Sequence, residues 1–298
     1  MGRQTSIMID RHIDADLVTQ VKFTGISRPV VFVGCQDLIP VIRSVLRGWP
    51  MREIDVSPCH DAVITIRKET GGYRRGYRRE SHWLSRPTTY PNPVNAVCDF
   101  LVDLIKAYVA EQPSMLCLHT AVVELAGGLV IFPNTYKAGK STLSIHFAAA
   151  GLKLYADDVL PIEGGTNQDL APGLLPRLRV PLPKDAGLRF DDFVDLRRGP
   201  SSDRFLYIDL GEDELAAFGD RAPVCGIVLL ERDEVDSPTL AASEALKRAI
   251  AQNFARGVPA LDILDRLHAL ANDAQCWELR YRSGEDAVAL LCDAFGEN

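Results

Sequence analysis

The chain has 298 residues, 47% of them hydrophobic and 24% charged, with a formal net charge of −7 and a pI near 5.4. That balance suits a globular protein of one large domain or two moderate ones, and its acidity argues against a dedicated nucleic-acid binder, which carries a basic excess. Seven scattered cysteines without a C-x-x-C pair argue against a disulfide framework and for free thiols in a reducing cytoplasm. No apolar run approaches the ~18 residues of a membrane span, and acids come too early in the amino-terminal stretch for a secretory leader.

In chain order, residues 17–24 and 30–34 read as strands, 38–48 as a short helix and 62–67 as an alternating strand. The run from Tyr73 to Arg79, with four arginines and two tyrosines, reads as a solvated hairpin or a docking patch for an acidic protein partner. Pro87, Pro91 and Pro93 punctuate a linker. Residues 94–111 carry the clearest helical periodicity, with Val94, Val97, Leu101, Leu104, Ile105 and Tyr108 on one face. The expected organisation is an α+β region over 1–93, binding partner or substrate, followed by a nucleotide-binding α/β domain over 94–298.

Residues 116–134 read as two strands with a turn at 126–128, and 139–150 as a helix closed by Gly151. Residues 152–162 read as a strand running into two carboxylates, and 163–204 as irregular. A buried strand at 225–232, helices at 243–256 and 259–271, a strand at 276–282 and a helix at 284–295 complete the chain.

Gly139-Lys140-Ser141-Thr142, between a strand and a helix, is the context of a phosphate-binding P-loop. First-turn amides of a helix lack internal acceptors, and the helix dipole adds positive charge there, so the loop spanning Asn134, Thr135, Tyr136, Lys137, Ala138, Gly139, Lys140, Ser141 and Thr142 is a candidate cradle for ATP. Lys140 would reach the β- and γ-phosphates and Ser141 would offer its hydroxyl to Mg²⁺. The full G-x-x-x-x-G-K-S/T pattern starts on glycine, whereas this chain has Asn134, which tolerates a left-handed backbone better than other side chains.

Asp157 and Asp158 follow the next strand, at an edge where α/β sheets bind ligands. Two adjacent acids beside Mg-ATP can divide the work, one binding Mg²⁺ and the other accepting a hydroxyl proton. His119 lies in an apolar run, where a histidine is usually a satisfied core residue; turned toward Asp157 it would orient the base. Arg177, Arg179, Lys184 and Arg204 lie in the irregular stretch, and one of them could reach a transferred phosphate. His146 looks incidental.

His119, the loop at 134–142 and the sequence LYADD at 154–158 together resemble the carboxy-terminal kinase domain of the HPr kinase/phosphorylase family, and more closely the bacterial P-loop kinases related to it. The resemblance is clear over residues 115–163 and weaker through 176–185 and 226–232. It implies a P-loop fold of HPr-kinase type and ATP- and Mg²⁺-dependent phosphorylation of a hydroxyl on a protein, peptide or small molecule. It also implies Asp157 as base, Asp158 and Ser141 at the magnesium, and His119 supporting the acids. Thr142 stands where the bifunctional enzymes carry Glu, so the expectation is kinase chemistry rather than phosphorolysis. The competing reading is a non-catalytic nucleotide-binding regulatory module. Homo-oligomerisation is left open.

Overall fold

The first sheet follows from period-two burial. Ile64 and Ile66 of one strand, and Tyr77 and Arg79 of its neighbour, face inward while the residues between them face out. The computed structural model describes residues 18–55, 61–69, 76–134, 138–164, 168–232, 235–236, 238–255 and 257–296. It begins with β1 (Val18–Phe23), β2 (Val30–Val33), α1 (Leu38–Val45), β3 (Met51–Ile54), β4 (Ile64–Glu69), β5 (Gly76–Ser81) and β6 (Thr88–Tyr90). These strands form a six-stranded sheet in the order β3-β1-β2-β4-β5-β6.

Helix α2 (Pro93–Ala110) starts where the sequence places a start: the Asn92 side chain accepts from the Val94 amide, and Pro93 occupies the first turn. The helix packs on β4, β5 and β6. Phe100 meets Phe23 and Phe32, each at a ring-centroid distance of 6.0 Å. A buried ion pair joins Arg79 of β5 to Asp103 of α2 at 2.9 Å. The boundary at residue 93 stays a proposal; the helix that follows it lies against the first sheet.

The chain continues through β7 (Leu116–Leu118), β8 (Ala121–Leu125), β9 (Gly128–Phe132), α3 (Lys140–Ala149), β10 (Leu154–Ala156), β11 (Leu160–Ile162), β12 (Gln168–Leu170) and β13 (Arg177–Arg179). Then come α4 (Leu188–Leu196), β14 (Arg198–Ser201), β15 (Phe205–Ile208), β16 (Arg221–Glu231), α5 (Ala242–Gln252), α6 (Ala260–Asp273), β17 (Gln275–Arg280) and α7 (Gly284–Phe295). The second sheet runs β10-β8-β9-β16-β12-β11-β7, with β17 paired to β16, and β13-β15-β14 form a third. The fold is therefore mixed α/β, with three sheets and seven helices among the described residues.

β9 runs parallel to β16, and β10 and β9 are both antiparallel to the intervening β8. The carboxyl ends of β9, β10 and β16 thus share one edge. No helix of the described residues is long and apolar enough to cross a membrane.

Three sequence expectations change. The stretch 116–134 holds three strands, and His119 sits in the two-residue link between β7 and β8 rather than on a strand. The stretch 152–162 breaks at Asp157, because β10 pairs with β8 while β11 pairs with β7. The region 163–204 contains α4, which buries only Phe190 and Val194 and leaves Leu188 and Leu196 largely exposed, so its periodic signal is faint.

Candidate functional site

The GKST segment opens α3. Gly139 caps it in the left-handed region at φ 86°, a conformation that glycine adopts without steric cost. A side chain there would point toward Arg232 and the Tyr281 hydroxyl, each 3.6 Å from the added carbon. The Tyr281 hydroxyl is buried and has no hydrogen-bond partner. Buried Lys140 donates its Nζ to the Asn134 carbonyl at 2.7 Å. Burial lowers the Lys140 pKa, and the charges of Asp158 and Asp157 oppose that shift. Ser141 and Thr142 are half-buried in the first turn. Thr135, Tyr136 and Lys137 lie outside the described residues.

Asn134 does not act as the sequence suggested. Its backbone is not left-handed. Instead its carboxamide donates Nδ2–H to the Leu230 carbonyl and accepts the Leu230 amide at Oδ1, both at 2.9 Å. The side chain continues the β9–β16 pairing one step past the end of β9, which ties the loop to β16. A glycine could not do this.

Asp157 and Asp158 occupy the break between β10 and β11 and differ sharply. Asp157 is buried; its Oδ2 accepts the Arg177 amide at 3.2 Å, while its Oδ1 is shielded from solvent and has no hydrogen-bond partner among the described residues. Burial and the adjacent Asp158 charge push its carboxyl up to about 6. Asp158 is half-buried with both oxygens engaged, Oδ1 by His119 Nε2 at 3.0 Å and Oδ2 by Arg177 at 3.2 Å. Burial pushes its carboxyl up, but the His119 hydrogen bond and the Arg177, His119 and Lys140 charges outweigh that and hold it below its ordinary value. His119 is oriented from its other side by Gln252, whose carboxamide lies 3.1 Å from Nδ1. His119 therefore meets Asp158, not Asp157.

Two cavities flank this group. One, of about 640 Å³, is bounded by Asn134, Ala138, Gly139, Arg232, Arg248 and Glu278, alongside the GKST loop. The other, of about 750 Å³, lies against His119, Asp157, Asp158 and Arg177 and is otherwise walled mainly by α2 and apolar loops. Both match the size of ordinary small-molecule sites.

No family model matches the chain, and no curated protein does either. Among solved structures, the Hpr(Ser) kinase/phosphatase from Coxiella burnetii aligns over 60% of this chain and 96% of its own. Identity is 12% and the TM-score is 0.29, a level of likeness that carries no argument about fold or function.

Of the basic residues singled out from the sequence, Arg177 joins the carboxylates. Its guanidinium also contacts Cys98 and lies 5.2 Å from the Phe205 ring centroid. Arg204 packs over the other side of the same neighbourhood, 5.1 Å from that ring centroid. Gln252 and Tyr281 carry no sequence signal, being single residues far from any motif, whereas Arg232 ends the segment 226–232 that shares weakly in the family resemblance. His146, taken as incidental, is buried against Phe190 and directly beneath Gly284. In the Tyr73–Arg79 run, Tyr73, Arg74 and Arg75 lie outside the described residues. The remainder is internally paired: Tyr77 with Asp37, Arg78 with Glu69 and Glu80, and Arg79 with Asp103.

Proposed function

We propose that this chain is an ATP-dependent kinase that transfers the γ-phosphate to a hydroxyl. The observation that carries the reading is the Asp157 carboxyl: buried, raised to about 6, and holding one oxygen without a partner beside the P-loop edge. An elevated carboxylate pKa brings a general base closer to its working pH while leaving it ionised near neutrality.

In this reading the Asp157 carboxylate accepts the proton of the acceptor hydroxyl. The hydroxyl oxygen forms a bond to the γ-phosphorus, the bond from that phosphorus to the β,γ-bridging oxygen breaks, and ADP leaves. Lys140 and the first-turn amides of α3 stabilise the charge on the phosphoryl oxygens. Arg177 and His119 keep Asp158 ionised and in place. With its pKa lowered, the Asp158 carboxylate, together with the Ser141 hydroxyl, would offer hard oxygen donors to Mg²⁺. Each Asp158 oxygen has a second lone pair beyond those taken by His119 and Arg177. Among the described residues no three His, Cys, Asp or Glu side chains gather as a protein-only metal cage. Mg²⁺ bound with a nucleotide needs only one or two carboxylates, where it neutralises phosphate charge.

The test uses the full chain with Mg²⁺ and γ-labelled ATP, scoring label transfer to serine peptides and small alcohols as well as release to water. Asp157→Asn is expected to lower transfer by about 10²–10⁴-fold, and Lys140→Ala to weaken both nucleotide binding and turnover. Equal transfer by the parent and both variants would sink the assignment. ATP binding with no transfer or release under any condition would favour the regulatory-module reading.

A further inference from the structure

The 750 Å³ cavity holds the most chemistry outside the nucleotide side of the site. Leu101, Val102, Ile105 and Val109 of α2 form much of one wall, and Val159 and Leu174 contribute from the loops. Trp83 and Phe254 add aromatic surface. His119, Asp157, Asp158 and Arg177 are bonded into one connected polar patch at one end, and Lys106 and Tyr207 add single polar groups to the lining. Asp157 Oδ1 lies beneath that patch, shielded from solvent and without a hydrogen-bond partner among the described residues.

We infer that the phosphate acceptor is a lipophilic alcohol: a small molecule with an apolar body seated against α2 and a hydroxyl directed at Asp157. The inference rests on the kinase reading and specifies its substrate. A sugar or polyol would leave several hydroxyls against aliphatic walls without partners, and a buried unpartnered hydroxyl is costly. A globular protein acceptor would need a standard-size surface of roughly 800 Å² per partner, whereas this site is a concavity in the size range of small-ligand pockets. An apolar body gains from every methylene removed from water, and its single hydroxyl needs partners only at the carboxylate end of the cavity, where Asp157, Asp158, His119 and Arg177 lie. The chemistry is the transfer already described: the alcohol oxygen gains phosphorus, ADP departs, and the alcohol proton passes to Asp157 and then to solvent.

Straight-chain primary alcohols from hexanol to decanol, titrated calorimetrically into the full chain, provide the test. Affinity is expected to rise about fourfold per methylene until the cavity is filled. Val102 is 37% exposed and lies on the cavity wall, so Val102→Trp should fill space and Val102→Glu should place a charge there. Each is expected to weaken octanol binding at least tenfold. With Mg-ATP, octanol should become octyl phosphate far more efficiently, as kcat/KM, than glycerol becomes glycerol phosphate.

An affinity independent of chain length overturns the inference, and so does octanol binding unchanged in both Val102 variants. Phosphorylation of glycerol or a serine peptide in preference to octanol overturns the inference while leaving the kinase reading standing. Chain-length-dependent binding without Mg-ATP binding takes down the kinase reading, and the acceptor role with it, leaving only a cavity that takes lipophilic alcohols.

Discussion

Asp157→Asn should stabilise the fold while removing activity. In the folded chain the Asp157 carboxyl is raised from 3.8 to about 6. A raised carboxyl contributes stability that is fully present below about 3.8 and is lost as pH rises through about 6. The shift is about 2 units at ~1.4 kcal/mol each, so holding the ionised group buried at pH 8 costs about 3 kcal/mol. Asparagine keeps an acceptor for the Arg177 amide, but it brings an NH₂ to the spot where Oδ1 now has no partner. That unsatisfied amide returns about 1–2 kcal/mol of cost. The net gain is about 1–2 kcal/mol at pH 8, shrinking toward zero or reversing near pH 4.5. Urea unfolding followed by fluorescence of Trp49, Trp83 and Trp277, with parent and variant measured side by side from pH 4.5 to 8, isolates the difference from the other carboxylates. A variant less stable than the parent at pH 8, or a difference that does not change with pH, would refute the assignment of a strained catalytic carboxylate.

Asn134→Gly restores the usual first glycine of a P-loop, yet it should destabilise by about 2–4 kcal/mol. It strips both hydrogen bonds from buried Leu230 backbone groups and adds glycine's entropy cost. Faster amide exchange at Leu230 and a lower urea midpoint are expected; unchanged exchange would contradict the bridging role. Arg79→Ala should cost about 2–4 kcal/mol, because nearly fully buried Asp103 would keep only the Ser81 hydroxyl and Lys106 at 3.8 Å. A loss under 1 kcal/mol in urea unfolding would show the pair to be dispensable. Tyr281→Phe removes a buried hydroxyl that has no hydrogen-bond partner among the described residues, so unfolding should be unchanged or slightly harder. Mg-ATP affinity should fall about tenfold if that hydroxyl meets a phosphate; equal affinity by calorimetry would remove Tyr281 from the nucleotide site.

Local patterns carried well from sequence. Asn92 and Pro93 start α2, Gly139 and Gly151 bracket α3 in positive-φ conformations, and the 126–128 turn closes the β8–β9 hairpin. Each depends on residues within a few positions, where backbone preference and periodicity are decisive. The regions that resisted are those whose stability comes from afar. β6 and β12 are three-residue strands defined by their partners, β3 by pairing with β1, and α4 by two buried residues.

The candidate site divides the same way. The GKST start of a helix and the Asp157-Asp158 pair are visible in the chain because phosphate and proton chemistry demand particular residue types at short spacing. By itself the sequence thus determined which groups are available and that they follow two strands. Only the tertiary structure decided their states: one aspartate raised and half-satisfied, the other lowered between His119 and Arg177, although they are adjacent in sequence. It also decided that Asn134 works through its side chain rather than its backbone freedom, and that an apolar cavity under α2 opens onto the carboxylates. Burial, charge neighbours and enclosed volume arise from segments scores of residues apart, so short-range pattern has no access to them.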